Sequence, residues 1–218
     1  MQYNTNKQVF ITGGTGYIGS RLIPLLIDSG FAVTALVREG SEHKVDKRCN
    51  TVKGNALDSK SYLRNIIGGC TFIHLVGVAH PGPGKEKEFL EIDKVSIEEA
   101  VKAAKTAGVS QFIYLSVAEP APVMKEFIEV RKYGESLLRN SGINSVFIKP
   151  WYVLGPKHYW PYLLLPLYLL SMLIPPLAQT ARRLYPVKLE NVLNAIINSV
   201  KNPAKGIWSI TTDKLRKS

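Results

Sequence analysis

The sequence has few cysteines and no apolar leader, and both absences bear on where the chain works. Its two cysteines, Cys49 and Cys70, lack the CxxC spacing of a redox or metal site. Residues 1–7 are polar and do not contain the apolar core of a signal peptide. We therefore expect a reduced, cytoplasmic protein with unpaired thiols and no metal site.

Acidic residues are scarce in the C-terminal third. Residues 149–218 contain ten basic and two acidic side chains, whereas residues 1–148 contain 18 and 15. Eight of the eleven net positive charges therefore lie near the C-terminus. The basic residues there are not interleaved with aromatic ones in a nucleic-acid motif, so the pattern does not predict DNA or RNA as a partner.

Charge is absent altogether from residues 159–181, 23 positions rich in Leu, Pro and Tyr. Such a length suffices to cross a bilayer. A membrane span is nevertheless not expected, because prolines interrupt a helix repeatedly. The prolines are Pro161, Pro166, Pro175 and Pro176.

Two alternatives remain for this uncharged segment. One is a hydrophobic lid or pocket wall in a small C-terminal lobe. The other is a hairpin in the membrane interface, with aromatic rings at headgroup depth and the basic surplus facing anionic lipid. The aromatic residues of the second alternative are Trp160, Tyr162 and Tyr168.

Elsewhere the chain alternates between apolar runs typical of buried strands and amphipathic segments typical of helices. This alternation predicts an α/β fold: a Rossmann-type doubly wound parallel sheet with a small hydrophobic C-terminal lobe. One domain is expected, with a dinucleotide-binding core at 1–156 and the lobe at 157–218. Strands are predicted at 8–12, 31–37, 51–53, 71–76, 111–116, 145–149 and 207–211. Helices are predicted at 18–29, 59–67, 86–107, 122–140 and 189–200, and a mobile loop at 80–84.

The first predicted strand is followed by a glycine-rich loop, TGGTGYIG, at residues 12–19. Between a strand and a helix, this spacing is typical of a dinucleotide-binding turn. Gly13 would permit the tight turn, Gly16 the approach of a pyrophosphate, and Gly19 the close packing of helix on strand. Amide groups at the start of the helix would point at the phosphates. The loop residues predicted to bind the cofactor are Gly13, Thr15, Gly16, Tyr17, Ile18 and Gly19.

The end of the second predicted strand bears on the choice between NAD and NADP. A basic residue at this position accepts a 2′-phosphate, whereas an acidic one binds the ribose hydroxyl groups. Arg38 occupies it, with Glu39 next in the chain as the acidic alternative. The charge of Arg38 favours NADP(H) over NAD(H), with Lys44 and Arg48 as additional contacts.

Taken together, several segments resemble the atypical short-chain dehydrogenase/reductases. The groups that the chain resembles most are the NmrA-like NAD(P)-binding proteins and the nucleotide-binding accessory subunit of respiratory complex I. The resemblance covers residues 8–156. It rests on TGGTGYIG, ALVR at 35–38, GNALD at 54–58, IHLVG at 73–77, YLS at 114–116, and GESLLRNSGINSVFIKPWYVLGP at 134–156.

The resemblance implies further cofactor contacts. In that family the segment after the third strand contacts the adenine, which points to Asn55 and Ala56, with Asp58 nearby. In that family the segment after the fourth strand lines the cofactor, and the segment after the sixth strand runs beside the nicotinamide. The residues implied there are Val76, Gly77, Val78, Pro150, Trp151, Tyr152 and Val153.

The chain departs from this family at the catalytic pair. Reductases of the superfamily use Tyr-x-x-x-Lys on the helix after the fifth strand, where the Tyr hydroxyl supplies a proton. Counting from Glu135 places Phe127 at the Tyr position and Arg131 at the Lys position. Phenylalanine has no proton to donate, whereas Arg131 can still bind a ribose or phosphate oxygen. Ser116 is the remaining candidate for orienting a carbonyl group.

Two function classes follow, and the residues leave open whether the chain is catalytic. One is a noncatalytic NADP(H)-binding sensor or assembly factor. The other is an NADPH-dependent reductase of an apolar carbonyl or quinone-type substrate that needs no Tyr proton donor. Beyond the dinucleotide, the expected partner is an apolar small molecule or an anionic membrane surface, with the protein peripheral to the membrane in the latter case.

Overall fold

A parallel sheet of seven strands forms the centre of the molecule. The computed structural model describes residues 7–79, 82, 84–121 and 124–218. The strands of this sheet are β1 (Gln8–Thr12), β2 (Ala32–Val37), β3 (Asn50–Lys53), β4 (Thr71–His74), β5 (Gln111–Leu115), β6 (Ser145–Lys149) and β9 (Ile207–Thr211). Their order is β3-β2-β1-β4-β5-β6-β9, and every neighbouring pair is parallel. The predicted Rossmann-type fold is confirmed.

Helices pack on both faces of the sheet. Side chains of a strand point alternately to its two faces, so Val9 and Ile11 of β1 join one apolar cluster and Phe10 joins the other. The helices are α1 (Gly19–Asp28), α2 (Glu86–Glu88), α3 (Val95–Ala107), α4 (Lys125–Ser141), α5 (Leu165–Met172), α6 (Pro175–Arg183), α7 (Leu189–Lys201) and α8 (Thr212–Leu215). The first cluster contains α1 and α7, and the second contains α3.

The helix predicted at 59–67 is wrong. Two short 3₁₀ turns, Ser59–Ser61 and Leu63–Asn65, occupy this stretch. Helical geometry is interrupted between them at Tyr62, because its fully buried ring packs against Phe10 of the sheet. Burial of one aromatic ring thus overrides the local helical pattern.

Other predicted bounds differ by smaller amounts. The stretch predicted as one helix at 86–107 is helical throughout, but residues Phe89–Lys94 form a π-helical segment. The helix predicted at 122–140 begins at Lys125, and Pro122 lies outside the described residues. His80, Pro81 and Pro83 of the predicted mobile loop also lie outside them.

The strand order reverses direction between β1 and β4. From β1 the chain moves outward to β2 and β3, and it then returns to the other side of β1 to add β4, β5 and β6. Such a switch point leaves a crevice at the carboxyl ends of the two central strands, where α/β proteins bind ligands. The glycine-rich loop after β1 lies at this crevice.

The C-terminal region contributes to the sheet as well as to a lobe. Strand β9 pairs with β6 from Ser145↔Ile207 to Lys149↔Thr211, and α7 packs in the first apolar cluster. Between β6 and α7 lie α5, α6 and a two-stranded parallel sheet of β7 (Val153–Leu154) and β8 (Val187–Lys188). Among the described residues, no helix combines the length and the apolar character needed to cross a membrane.

Candidate dinucleotide-binding site

A cavity of about 570 Å³ opens at the carboxyl ends of the central strands. Most of the predicted site residues line it, although they come from distant parts of the chain. These are Gly13, Gly16, Tyr17, Ile18, Gly19, Gly77, Val78, Ser116, Phe127, Arg131, Pro150, Trp151, Tyr152 and Val153. The predicted residues that do not line it are Thr15, Arg38, Lys44, Arg48, Asn55, Ala56, Asp58 and Val76.

The three glycines of the loop differ in what surrounds them. Gly13 has a φ of +79°, and a Cβ there would lie 2.6 Å from the backbone carbon of Leu75. A Cβ on Gly19 would lie 2.6 Å from the Cα of Gly14, so the start of α1 can approach the loop only without a side chain. At Gly16 the nearest protein atom would be 3.2 Å away, and the residue itself is exposed. Gly16 is therefore less tightly enclosed than Gly13 and Gly19, and its exposed backbone adjoins the first turn of α1.

The residues after β2 and β3 carry the charges nearest to the expected adenosine end. Arg38 is exposed and makes no ion pair with any described residue. Glu39, the acidic alternative, lies 3.6 Å from the ammonium group of Lys53, which also lies 3.3 Å from Glu42. Lys53 thus offsets the negative charge of Glu39, whereas the positive charge of Arg38 remains available to bind an anion.

Arg48 does not lie beside Arg38, which corrects the prediction that it helps to bind the 2′-phosphate. Its guanidinium is 2.7 Å from Asp28 and 2.7 Å from Asp46. Asp28 is the last residue of α1, so Arg48 lies roughly 15 Å along that helix from the glycine loop. Lys44 is exposed on the chain between them.

Asn55 and Ala56 follow β3 at the carboxyl edge of the sheet. The side-chain oxygen of Asn55 accepts a hydrogen bond from the backbone of Leu57 at 3.0 Å, and its backbone amide donates to Ser61 Oγ at 2.9 Å. Asp58 accepts from the amide of Lys60 and begins the first 3₁₀ turn. These side chains shape the turn that an adenine ring would have to contact.

Phe127 and Arg131 lie one helical turn apart on α4 and face the cavity together. The guanidinium carbon of Arg131 lies 5.1 Å from the centre of the Phe127 ring. Arg131 donates to Asp93 Oδ1 at 2.5 Å and to the carbonyl oxygen of Leu115 at 3.0 Å. A Cβ on Gly77 would collide with this guanidinium, so Gly77 makes room for it.

Asp93 is a residue that the sequence interpretation missed. It is almost fully buried in the π-helical segment and also accepts a hydrogen bond from the amide of Val78 at 2.8 Å. Burial raises the pKa of this carboxyl, and the charge of Arg131 opposes that rise. An acidic residue on the apolar side of a predicted helix was the available signal, because such a residue needs a buried partner.

Ser116 is part of a second buried polar network. Its hydroxyl donates to Glu135 at 2.5 Å, and the ammonium group of Lys149 lies 2.9 Å from both Glu135 and Glu119. Burial alone would lower the pKa of Lys149, but the two carboxylates raise it. The proton of Ser116 is therefore directed at Glu135 and away from a ligand.

The far wall of the cavity is aromatic. Lys157, His158 and Trp160 line it beside Tyr152, although none of these three was predicted as a site residue. His158 Nδ1 lies 2.8 Å from the carbonyl oxygen of Val153, and its Nε2 accepts from the indole of Trp160 at 3.0 Å. These two contacts fix the imidazole between the backbone of Val153 and the indole ring.

Two tyrosine hydroxyl groups also belong to the cavity region. The Tyr17 hydroxyl is buried and has no hydrogen-bond partner among the described residues, and its ring lies under the guanidinium of Arg21. Burial raises the pKa of both Tyr17 and Tyr152. Both side chains therefore keep their protons at neutral pH.

Residues 13–157 match the family model described as NAD(P)H-binding. A ceramide reductase of Caulobacter vibrioides is 24% identical over 205 residues, which cover 93% of this chain and 64% of that protein. An NmrA-like family domain-containing protein of Dictyostelium discoideum is 26% identical over 174 residues, which cover 71% of this chain and 54% of that protein. The chain thus spans between half and two thirds of the length of these relatives.

Among solved structures, the Bordetella bronchiseptica enzyme WbmH in complex with NAD⁺ has the same fold. Its TM-score is 0.69 at 20% identity, and the match covers 94% of this chain and 76% of that chain. The nucleotide in that complex is NAD⁺, so this neighbour does not support a preference for NADP.

Proposed function

Since the chain belongs to the NAD(P)H-binding family, among the atypical short-chain dehydrogenase/reductases, we propose that it holds NADP(H) as a sensor or assembly factor. One observation carries this proposal: Phe127 lines the cavity, and the resemblance assigns to it the position of this superfamily's proton donor. Without that donor, reduction of an ordinary ketone loses the general acid that accelerates it by about 10²–10⁴-fold.

The two polar candidates that the sequence offered at this position, Ser116 and Arg131, do not take over this role. Ser116 directs its proton at Glu135, and Arg131 never deprotonates at physiological pH and is held by Asp93. The buried positive charge of Arg131 instead suits a ribose or phosphate oxygen. Arg131 therefore favours binding of the cofactor, and neither Ser116 nor Arg131 supplies a proton to a substrate.

The proposed path of the dinucleotide runs from the cavity to Arg38, which lies outside the cavity lining. The exposed backbone at Gly16 and the amide groups of Tyr17 and Ile18 would receive the pyrophosphate. Trp151 and Val153 would lie beside the nicotinamide ring. Arg38 would contact the 2′-phosphate. A dinucleotide bound there supplies a hydride donor or acceptor, and the surrounding side chains orient it and exclude water.

The preference for NADP(H) rests on Arg38. A charge-assisted hydrogen bond to phosphate contributes about 1.5–3 kcal/mol, so Arg38→Ala should weaken NADPH binding by about 10- to 100-fold and NADH binding much less. Titration of the purified protein with each nucleotide, followed by nicotinamide fluorescence, measures both affinities. Arg48→Ala is the matched control and should change neither, because Arg48 is paired with Asp28 and Asp46.

Gly16→Asp tests the location of the cofactor. A carboxylate there would repel the pyrophosphate. Its Cβ would lie 3.2 Å from the carbonyl oxygen of Gly13, a tight contact that requires a shift of a few tenths of an ångström in the loop. We expect binding of both nucleotides to be lost in this variant. If Arg38→Ala bound NADPH as tightly as the unmodified protein does, the preference for NADP would be contradicted. If Gly16→Asp still bound the nucleotides, the location of the site would be contradicted.

A second candidate function is the reduction of an apolar carbonyl or quinone by NADPH. The aromatic wall of Tyr152, Trp151 and Trp160 favours it, as does the similarity to a protein named ceramide reductase. A quinone accepts hydride without the Tyr proton donor, whereas an aliphatic ketone depends on it.

Adding a short-chain quinone or an aliphatic ketone to the NADPH complex distinguishes the two candidates. The absorbance of reduced nicotinamide reports its oxidation. No oxidation by either acceptor supports the sensor or assembly role, oxidation by the quinone alone supports the second candidate, and rapid oxidation by the ketone refutes the importance of Phe127.

A further inference from the structure

Helices α5 and α6 contact one another and are joined by Leu173 and Ile174. We refer to the uncharged residues 159–181 as the apolar hairpin. Of the fifteen large apolar side chains that are exposed among the described residues, ten lie in this segment. The most exposed are Leu163 at 82% and Leu173 at 78%. A concentration of this kind marks an interaction surface, because soluble monomers do not leave extended apolar patches uncovered without a function.

The base of the apolar hairpin is packed on the rest of the molecule. Ala181 and Leu184 are buried, and the rings of Tyr168 and Tyr185 lie 5.9 Å apart. Tyr168 therefore faces inward, which corrects the prediction that it lies at headgroup depth. With its base anchored, the hairpin presents Leu167, Leu170 and Leu173 to the outside.

Positive charge surrounds this surface. No acidic residue occurs between Glu135 and Glu190. Lys157 and Arg182 are exposed at the two ends of the apolar hairpin, and Lys188 is exposed shortly after it. These features match the layers of an anionic bilayer. The exposed leucines match the acyl chains, Trp160 and Tyr162 match the interface, and the rim of cations matches the anionic headgroups.

We propose that the apolar hairpin inserts into the interface of an anionic lipid bilayer. The cations at the rim of the hairpin and the absence of acidic residues between Glu135 and Glu190 match anionic lipid headgroups and favour a bilayer over a protein partner. Lys157, which precedes the apolar hairpin, and Trp160, which belongs to it, both line the cavity. Docking would therefore place the cavity opening at the lipid surface, where an apolar ligand can reach it. The proposal does not depend on cofactor binding.

Co-sedimentation tests the proposal. The full chain is mixed with vesicles of equal parts phosphatidylcholine and phosphatidylglycerol, or of phosphatidylcholine alone. We expect it to pellet with the anionic vesicles and to be recovered mainly in the supernatant with the neutral ones. The triple variant Leu167→Glu, Leu170→Glu, Leu173→Glu should bind anionic vesicles at least about tenfold more weakly.

Two matched controls separate insertion from general effects of charge. Leu90→Glu changes a leucine that is 54% exposed outside the apolar hairpin and should leave vesicle binding unchanged. Arg182→Glu with Lys188→Glu should weaken binding several-fold, whereas Lys47→Glu, an exposed cation near the far end of α1, should not. Circular dichroism without vesicles checks that each variant remains folded, and Leu173→Glu alone replaces the triple variant if that variant does not fold.

Recovery of the unmodified chain in the supernatant with both kinds of vesicle would overturn the proposal. Equal vesicle binding by the triple or Leu173→Glu variant would also overturn it. Light scattering without lipid provides a third test: a dimer that the hairpin substitutions convert to a monomer would assign the surface to a second copy of the chain. Since NADPH binding is measured separately, each of these results leaves the proposed function unaffected.

Discussion

At the scale of the residue, His74 is a buried titratable group beneath the cavity. Its Nδ1 lies 2.8 Å from the hydroxyl of Thr12, and its Nε2 lies 3.4 Å from the hydroxyl of Ser96. Burial, with a smaller effect of the Arg131 charge, lowers the pKa of His74 to about 3. The folded protein therefore keeps this imidazole neutral well below the pH at which a free histidine is protonated.

This depressed pKa makes folding sensitive to acid. The unfolded chain binds a proton at His74 near its ordinary pKa of about 6.5, so the stability contributed by the neutral form is complete above that pH. It is lost progressively as the pH falls from there toward about 3. Between pH 7.5 and 5, the free energy of unfolding should fall by about 2 kcal/mol because of this residue.

Urea unfolding at these two pH values measures the effect. In His74→Gln the difference between the two pH values should be smaller by about 2 kcal/mol, whatever the substitution does to stability at neutral pH. An unchanged difference would show that other groups cause the acid sensitivity.

At the scale of the element, the Arg131–Asp93 pair joins α4 to the π-helical segment before α3. The side chains are 7% and 0% exposed. Removing one partner leaves the other charge buried without compensation, which typically costs about 3–5 kcal/mol. Replacing both with neutral groups avoids that cost.

A double-mutant cycle tests this link between elements. Asp93→Ala should lower the free energy of unfolding by about 3–5 kcal/mol. The double variant Asp93→Ala, Arg131→Met should be more stable than the sum of the single changes predicts, by about 2 kcal/mol or more. The exposed pair Lys102–Glu99 serves as the control, since Lys102→Ala should cost less than about 1 kcal/mol. Additive effects of the Asp93 and Arg131 substitutions would rule out the coupling.

At the scale of the whole molecule, we propose that the chain folds as one cooperative domain. Strand β9 supplies the edge of the sheet beside β6, and α7 buries Val192 and Ile196 completely against the first apolar cluster. The core at 1–156 and the remainder are therefore interdependent, because the core alone would expose apolar surface on β6 and one face of the sheet.

Truncation distinguishes one cooperative unit from two. Residues 1–156 alone should show no cooperative thermal transition by circular dichroism. By contrast, replacing residues 162–179 with a short Gly/Ser linker should preserve both the transition and NADPH binding, because that segment contributes little buried surface. A cooperative transition for residues 1–156 would instead support an independent dinucleotide-binding unit.

The sequence by itself determined the parallel α/β sheet and the position of the glycine loop. Apolar strand runs and the spacing of Gly13, Gly16 and Gly19 are local features, so neighbours along the chain suffice to recognise them. The shared orientation of Phe127 and Arg131 follows in the same way from helical periodicity. The interruption of the helix at Tyr62 was not predicted from the sequence, because it is caused by a ring contact with a distant strand.

Only the tertiary structure decided which charges meet. Asp93 lies 38 residues before Arg131, and Arg48 lies 20 residues after Asp28, so neighbours along the chain do not identify the partner in either ion pair. The same holds for Lys53, which offsets Glu39 but leaves Arg38 free. Ion pairing depends on distance in space, and distance in space depends on how the whole sheet and its helices pack.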